Sequence, residues 1–428
     1  MAMTPTGAQD ASTNEALSSL PASARVFSWH EHASLWFSLG VGLLVMQMGA
    51  YLVPALGTRD AVLAIVMGTV VGAGLLAWTA KLGADTGLTS AGLMHQTYGS
   101  YFARLPVLLN IAQLIGWTTF ELVIMRDGTL AIAKQSLGIS LEGFLGTLLP
   151  TLLWGAVLAL LMSGSMTQLV RKIIGRYGLP LVIASLLWLT WQFGSRVMAG
   201  GMDAFMSRAG DGSMGMLSAM DLVIAMPISW LPLVADYARY GKSGRGAFGG
   251  TWLGYAVANV WCYALGVMVA SLSEPGADLV GTLLLAQGGL IALSLILVDE
   301  IDNAYGDVYS GAVSSHSLLS KLSIRTWGLA LAVLCTVLAL VLPMHDLEPF
   351  LLILSSVFVP LYGVILGRLG WGAQTASSSG AKVDILAAAI WLIGIALFQA
   401  LTNLAPQWGA TLPTLLLTGV AAFASLNK

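Results

Sequence analysis

Long apolar runs alternate with short polar connections along almost the whole chain. A helix needs about 20 predominantly apolar residues to cross the hydrocarbon of a bilayer. By that measure the runs predict twelve transmembrane helices, over 33–57, 60–81, 104–127, 141–163, 169–193, 217–236, 250–272, 281–305, 325–343, 347–367, 383–402 and 410–427. They are long enough to be helices rather than barrel strands. The expected fold class is all-α integral membrane. Residues 1–32 are polar and rich in Ala, Ser and Thr, without the basic start and apolar core of a signal peptide, and read as a short disordered cytoplasmic tail. Residues 33–367 read as a ten-helix core and 383–428 as two additional transmembrane helices, with a Gly/Ser-rich linker from Gln374 to Gly380 between them. The stretch from Thr89 to Ala103 is too polar to span and is expected at the cytoplasmic interface. Gly68 and Gly72, four apart, predict close helix packing.

Two of the runs carry helix breakers at membrane depth. The first holds Gly49 and Pro54 past its middle, with Gln47 beside them; the sixth holds Pro227 and Pro232 on either side of Ser229 and Trp230. Proline removes a backbone donor and crowds the preceding turn. Backbone groups freed in a membrane need protein or a polar cavity around them. Breaks in the first helix of each block of five predict an inverted repeat, about 33–193 and 217–367, with a site at the breaks.

Composition agrees with this reading. The chain is 57% hydrophobic and 9% charged, against roughly 25% charged residues in soluble domains. A net charge of −2 offers no basic field for nucleic acid. Cys262 and Cys335 both lie in apolar runs and suggest neither a disulfide framework nor a metal site. With the N-terminus inside, fourteen of the nineteen Lys and Arg fall in cytoplasmic connections. Arg59, Arg126, Lys134, Arg196 and Arg208 fall outside. That bias places both termini in the cytoplasm.

Candidate chemistry gathers in the eighth run, Gly288 to Val313, which carries Asp299, Glu300, Asp302, Asn303 and Asp307 without a Lys or Arg. An ionised acid near a bilayer centre costs roughly 2.5–3.5 kcal/mol on insertion scales. Asp299, Asp302, Asn303 and Asp307 share a helical face, which must look at protein, a watery cavity, a cation or a proton. In the third helix, Trp117 and Glu121 are four apart and on one face. A ring that stacks and an acid that meets a ring nitrogen and an amine suit a flat amino-heterocycle. Trp230 supplies a second aromatic wall. Asp236 reads as a cap on the inner end of the sixth helix, within reach of Arg239. Three enzyme-like signals fail for want of context: Asp85-Thr86-Gly87, the His30-Glu31-His32 run and Tyr305-Gly306-Asp307.

These residues carry a family resemblance. Gly116–Trp117, then Ser229–Trp230 followed by the run ending at Tyr240, then Asp302–Tyr305 in the eighth helix, together resemble the nucleobase:cation symporter-1 family, and most of all its hydroxymethylpyrimidine transporters. The resemblance implies a LeuT-type five-plus-five core with two extra helices and substrate between helices one, three, six and eight. It implies that aromatics on helices three and six sandwich the base, and these match Trp117 and Trp230. The family's polar partner four residues past the first aromatic is usually an amide; here it is Glu121. The implied sodium site uses carbonyls of the first break and small hydroxyl residues on helix eight; here that place holds Asp299 and Glu300.

The expectation is a cation-coupled importer of a small aminopyrimidine, with no enzyme activity and no cofactor, in the cytoplasmic membrane as a monomer. The substrate residues expected are Trp117, Glu121, Ser229, Trp230, Gln47, Asp302 and Asn303. Gly49, Asp299 and Glu300 are expected at the site for Na⁺ or H⁺, with no other metal. A cytosine, nucleobase or hydantoin permease is the nearest alternative; an intramembrane enzyme or a channel is the rival of another class.

Overall fold

A computed structural model describes residues 14–164, 178–274, 279–371 and 381–427. The expected linker 374–380, the tail before residue 14 and the first part of the fifth predicted helix, 169–177, lie outside the described residues. Among the described residues the fold is helical, with one isolated β-bridge, between Phe27 and Gly241. The first predicted span is two helices, α1 (Trp29–Ser38) and α2 (Leu43–Ala55), bent by 60°. There follow α3 (Thr58–Thr86), the short α4 (Ser90–Tyr98), α5 (Arg104–Leu137), α6 (Gly143–Leu161), α7 (Leu179–Gly200) and α8 (Met202–Met206). The sixth span is α9 (Met216–Ser229) and α10 (Leu231–Ala238); α11 (Gly244–Leu272), α12 (Leu279–Leu285) and α13 (Gly289–Leu318) come next. The chain ends with α14 (Ile324–Val341), α15 (Leu347–Leu369), α16 (Ile385–Leu404) and α17 (Thr411–Ala424).

Among the described residues nine helices, α9 and α10 taken as one, are long and apolar enough to cross a membrane, and ten with the bent α1–α2 pair. Two of the twelve expected spans fall outside that count. The first, α13, is 30 residues, about 45 Å, but carries the acids. The other, α17, has only 14 residues. Leu63, Val66, Met67 and Val70 on α3 and Leu149, Leu152 and Leu153 on α6 stand exposed, as side chains facing lipid must. Polar residues close the helix ends: the Thr89 hydroxyl accepts from Gly92 N–H at the start of α4, and the Asp384 carboxylate from Ala387 N–H at the start of α16. Gly68 meets Val223 and Gly72 meets Pro227, so the small pair on α3 does seat it against α9.

Two expectations need correction. The N-terminal segment is packed, not disordered, from residue 14 on. Phe27 is buried; its N–H donates to Tyr240 O at 2.8 Å and its carbonyl accepts from Lys242 N–H at 2.8 Å. Arg25 Nη1 donates to Ala84 O at 2.8 Å, and Asn14 Nδ2 to Ser317 O at 2.9 Å. A polar segment escaped notice because backbone hydrogen bonds and a few anchors hold it, not a run of apolar residues.

The second correction concerns the break in the first span. It lies at Leu39–Gly42, a turn and a half before Gln47 and Gly49. Gly40 and Gly42 weaken the helix there, and Glu300 captures Leu43 N–H at 2.9 Å. Gly49 is continuous within α2 and lets α11 approach: a Cβ there would sit 2.2 Å from Tyr263 O. Only near Pro54, at Val53 (φ −116°, ψ 133°), does α2 lose helical geometry again. In the sixth span the interruption is a single residue, Trp230, between Pro227 and Pro232.

Candidate functional site

The α1–α2 break and the middle of α13 build the polar centre of the molecule. Leu43 N–H donates to Glu300 Oε1 at 2.9 Å. Asn303 Nδ2 donates to Glu300 Oε2 at 2.9 Å and to the free carbonyl of Val41 at 3.3 Å. A side chain on Gly42 would crowd this arrangement, since its Cβ would lie 3.1 Å from Glu300 Oε2. On a neighbouring face of α13, Asp299 Oδ1 accepts from Ser38 Oγ at 2.9 Å, and Asp302 Oδ2 lies 3.5 Å from the same hydroxyl. All of these side chains are buried. Carboxylate, carbonyl and hydroxyl oxygens in this density suit a hard cation or a proton.

The sixth span is irregular where its prolines demand it, and neighbours satisfy the freed backbone. Pro227 cannot donate to Val223 O, and Tyr263 OH takes that carbonyl at 3.3 Å. Ser229 O accepts from Gln113 Nε2 at 3.1 Å and Pro232 O from Asn110 Nδ2 at 3.0 Å. Two amides of α5 therefore brace the stretch that presents Ser229 and Trp230.

Between these elements lies a small cavity of about 20 Å³ with a buried lining that includes Gly42, Val45, Trp117, Glu121, Ser229, Trp230, Glu300, Asn303 and Asp307. That is room for about one water molecule. A six-membered ring is admitted only when a wall moves. Each aromatic wall is fixed edge-on by a second ring: Trp117 by Phe350 of α15 (centroids 5.1 Å apart, 74°) and Trp230 by Trp36 of α1 (5.8 Å, 86°). Glu121 is 3% exposed, and its Oε2 has no hydrogen-bond partner among the described residues. Arg126 does not pair with it; that guanidinium meets Asp127 at 2.7 Å and Ala339 O at 2.9 Å.

Five of the seven expected substrate residues thus line one cavity: Trp117, Glu121, Ser229, Trp230 and Asn303. Gln47 does not, being half-buried on α2 beyond the break, and Asp302 turns toward Ser38 instead. Of the expected cation residues, Glu300 lines the cavity and Asp299 sits on Ser38, while Gly49 is a packing contact far along α2. Asp236 also departs from expectation. Its carboxylate accepts from Ser90 N–H at 2.8 Å and so caps α4 rather than pairing with Arg239, whose Nη2 reaches Ser18 O at 3.3 Å. Sequence reasoning missed Ser38 and Gly42 as site residues and left Asp307 out of the site. The Gly40-Val41-Gly42 spacing was the signal, hidden because all three are apolar or side-chain-free.

Residues 19–369 match the family described as permease for cytosine/purines, uracil, thiamine and allantoin. No curated protein matches the chain. Among solved structures it is similar to Mhp1, a nucleobase-cation-symport-1 family transporter, in a closed conformation with bromovinylhydantoin bound. The identity is 14% and the TM-score 0.75, over 97% of this chain and 94% of that one. The inward-facing conformation of Mhp1 gives 14% and 0.74, over 97% and 92%. MhsT in complex with L-phenylalanine gives 16% and 0.63, over 92% and 98%. These likenesses establish a LeuT-type fold.

Proposed function

The chain belongs to the family of permeases for cytosine/purines, uracil, thiamine and allantoin, and from that premise we propose that it imports a small aminopyrimidine in symport with a cation, with 4-amino-5-hydroxymethyl-2-methylpyrimidine as the substrate. The family is one of secondary transporters, not enzymes. The observation that carries the substrate reading is Glu121: a buried carboxyl with a free oxygen, in one cavity with Trp117 and Trp230. Two indoles offer faces to a flat ring. An aminopyrimidine presents an amine donor beside a ring-nitrogen acceptor. A protonated Glu121 donates to that nitrogen and accepts from the amine, and an ionised one takes the protonated ring. In both states it prefers an amine to a carbonyl at that edge. Asn303 and Ser229 supply the remaining polar contacts, and the buried acids around the cavity hold the coupling cation, Na⁺ or H⁺, with no cofactor.

The protein acts as a monomer in the cytoplasmic membrane with both termini inside. The two repeats, about 33–193 and 217–367, rock against each other around the small cavity. Cytosine also presents an amine beside a ring nitrogen and is the second substrate to test. Bromovinylhydantoin, bound by Mhp1, lacks that edge, so hydantoins rank below both. Uptake of labelled hydroxymethylpyrimidine, cytosine and hydantoin into proteoliposomes tests the order. Saturable uptake in that sequence supports the reading; preference for the hydantoin, or an unsaturating conductance, overturns it.

A further inference from the structure

Among the described residues, three carboxyl side chains line the central cavity, Glu121 from α5 and Glu300 and Asp307 from α13, and no Lys, Arg or His does. Their surroundings differ. Glu300 is answered on both oxygens, by Leu43 N–H and by the Asn303 amide. Glu121 keeps an oxygen without a partner while 3% exposed. Its electrostatic neighbours are Asp307 and Glu300 on α13 and Cys335 on α14. Asp307 is 2% exposed, and its electrostatic neighbours include Glu121 of α5, Cys335 of α14 and Tyr237 of α10. None of these neighbours is a cation, and the nearest one on α5, Arg126, is held by Asp127 and Ala339 O.

Two carboxylates that share a buried, low-dielectric site do not both stay ionised unless a positive charge joins them. A cavity of about 20 Å³ has room for one small charge and no more, and the unpartnered Glu121 oxygen is an acceptor that a carboxyl O–H can fill. Beside the α1–α2 break, Val41 O is engaged by the Asn303 amide, and Glu300 of α13 by two N–H donors. Among the described residues no three His, Cys, Asp or Glu side chains are gathered closely enough to hold a metal ion.

We propose that Glu121 and Asp307 hold one proton between them, and that this proton is the ion coupled to transport. The inference rests on the transport reading above and fixes its coupling ion and the place where that ion rides. With the cavity open outward, the Asp307 carboxylate takes a proton from the outer solution, and the new O–H donates to Glu121 Oε2. The pair then carries one negative charge instead of two, and the cavity closes. With the cavity open inward the O–H bond breaks and the proton leaves to the cytoplasm. One proton enters per cycle, and no electron moves.

The first test needs no substrate. Purified transporter is taken through a pH series while infrared difference spectra record the C=O stretch of protonated carboxyls. Asp307→Asn and Glu121→Gln should each remove the same titrating band, and the double variant should remove no more. Two different bands with additive losses, or no change in either variant, would overturn the pair. Each near-isosteric variant serves if the other fails to fold. The second test uses proteoliposomes and labelled cytosine and hydroxymethylpyrimidine. A one-unit inward acid gradient should sustain about tenfold accumulation in the wild type through one coupled proton, and none in Asp307→Asn. Accumulation that follows a Na⁺ gradient and ignores pH would overturn the proton as coupling ion. If the wild type takes up neither probe, the aminopyrimidine reading fails, while the infrared bands still decide the pair.

Discussion

Trp230 and Trp117 reach the cavity from different spans, and each is locked edge-on by another ring, Trp36 or Phe350. Their faces are therefore set before any ring arrives between them. Stacking contributes about 0.5–1.5 kcal/mol beyond the area it buries. Trp230→Ala should weaken aminopyrimidine binding roughly tenfold, with normal yield of folded protein, as read by equilibrium binding to purified transporter. Unchanged affinity in both single Trp→Ala variants would remove the aromatic walls from the account. Trp117 and Glu121 stood out in the sequence as an aromatic and an acid four apart at membrane depth, and Trp230 by the prolines on either side of it. Ser38 was not legible: a single serine at the end of an apolar helix looks ordinary until α13 brings Asp299 within 2.9 Å of it.

At the scale of the element, proline announced the sixth span correctly and misplaced the first. A proline leaves a missing donor that sequence alone reveals. The bend at Leu39–Gly42 arises from two glycines and from a carboxylate 257 residues away that competes for Leu43 N–H. Long-range competition of that kind has no local signature. The two glycine classes separate by experiment. Gly42→Ala should leave the fold intact and cripple transport, because its Cβ would stand 3.1 Å from Glu300 Oε2 and press the carboxylate off Leu43 N–H. Gly49→Ala should lower thermal stability instead, by about 1–3 kcal/mol or more, since its Cβ would meet Tyr263 O at 2.2 Å. Thermal melting alongside uptake checks both. A stable Gly49→Ala protein with altered ion dependence would return Gly49 to the cation site.

Over the whole molecule, backbone hydrogen bonds tie polar connections to helix ends distant in sequence. The loop before α9 lies against the end of α2, with Asp211 N–H on Pro54 O at 2.9 Å. The segment after α4 lies against the start of α16, with Tyr101 N–H on Lys382 O at 2.8 Å. The lysine and arginine bias predicts that the segment after α4 is inside. A cysteine at Ser207 should be labelled from outside and one at Lys382 from inside, using an impermeant reagent on intact cells and on inverted vesicles; labelling of both from one side would break the twelve-span topology. The apolar runs were legible where hydrocarbon thickness dictates their length, as in the nine or ten spans found among the described residues. The packed segment over residues 14–28 was not, because its anchors are single residues such as Phe27 and Arg25.

The central claim is that the cavity walled by Trp117, Trp230 and Glu121 binds the amino edge of a pyrimidine. Its most direct test is equilibrium binding of 4-amino-5-hydroxymethyl-2-methylpyrimidine to purified wild type, Glu121→Gln and Glu121→Leu, with thermal melting to confirm that each is folded. Glu121→Leu leaves the substrate's polar edge unpaired in a buried site, at about 1–3 kcal/mol, so affinity should fall roughly 5- to 150-fold. Glu121→Gln, which keeps one donor and one acceptor, should lose far less. Equal affinity in the wild type and a folded Glu121→Leu protein would contradict the account.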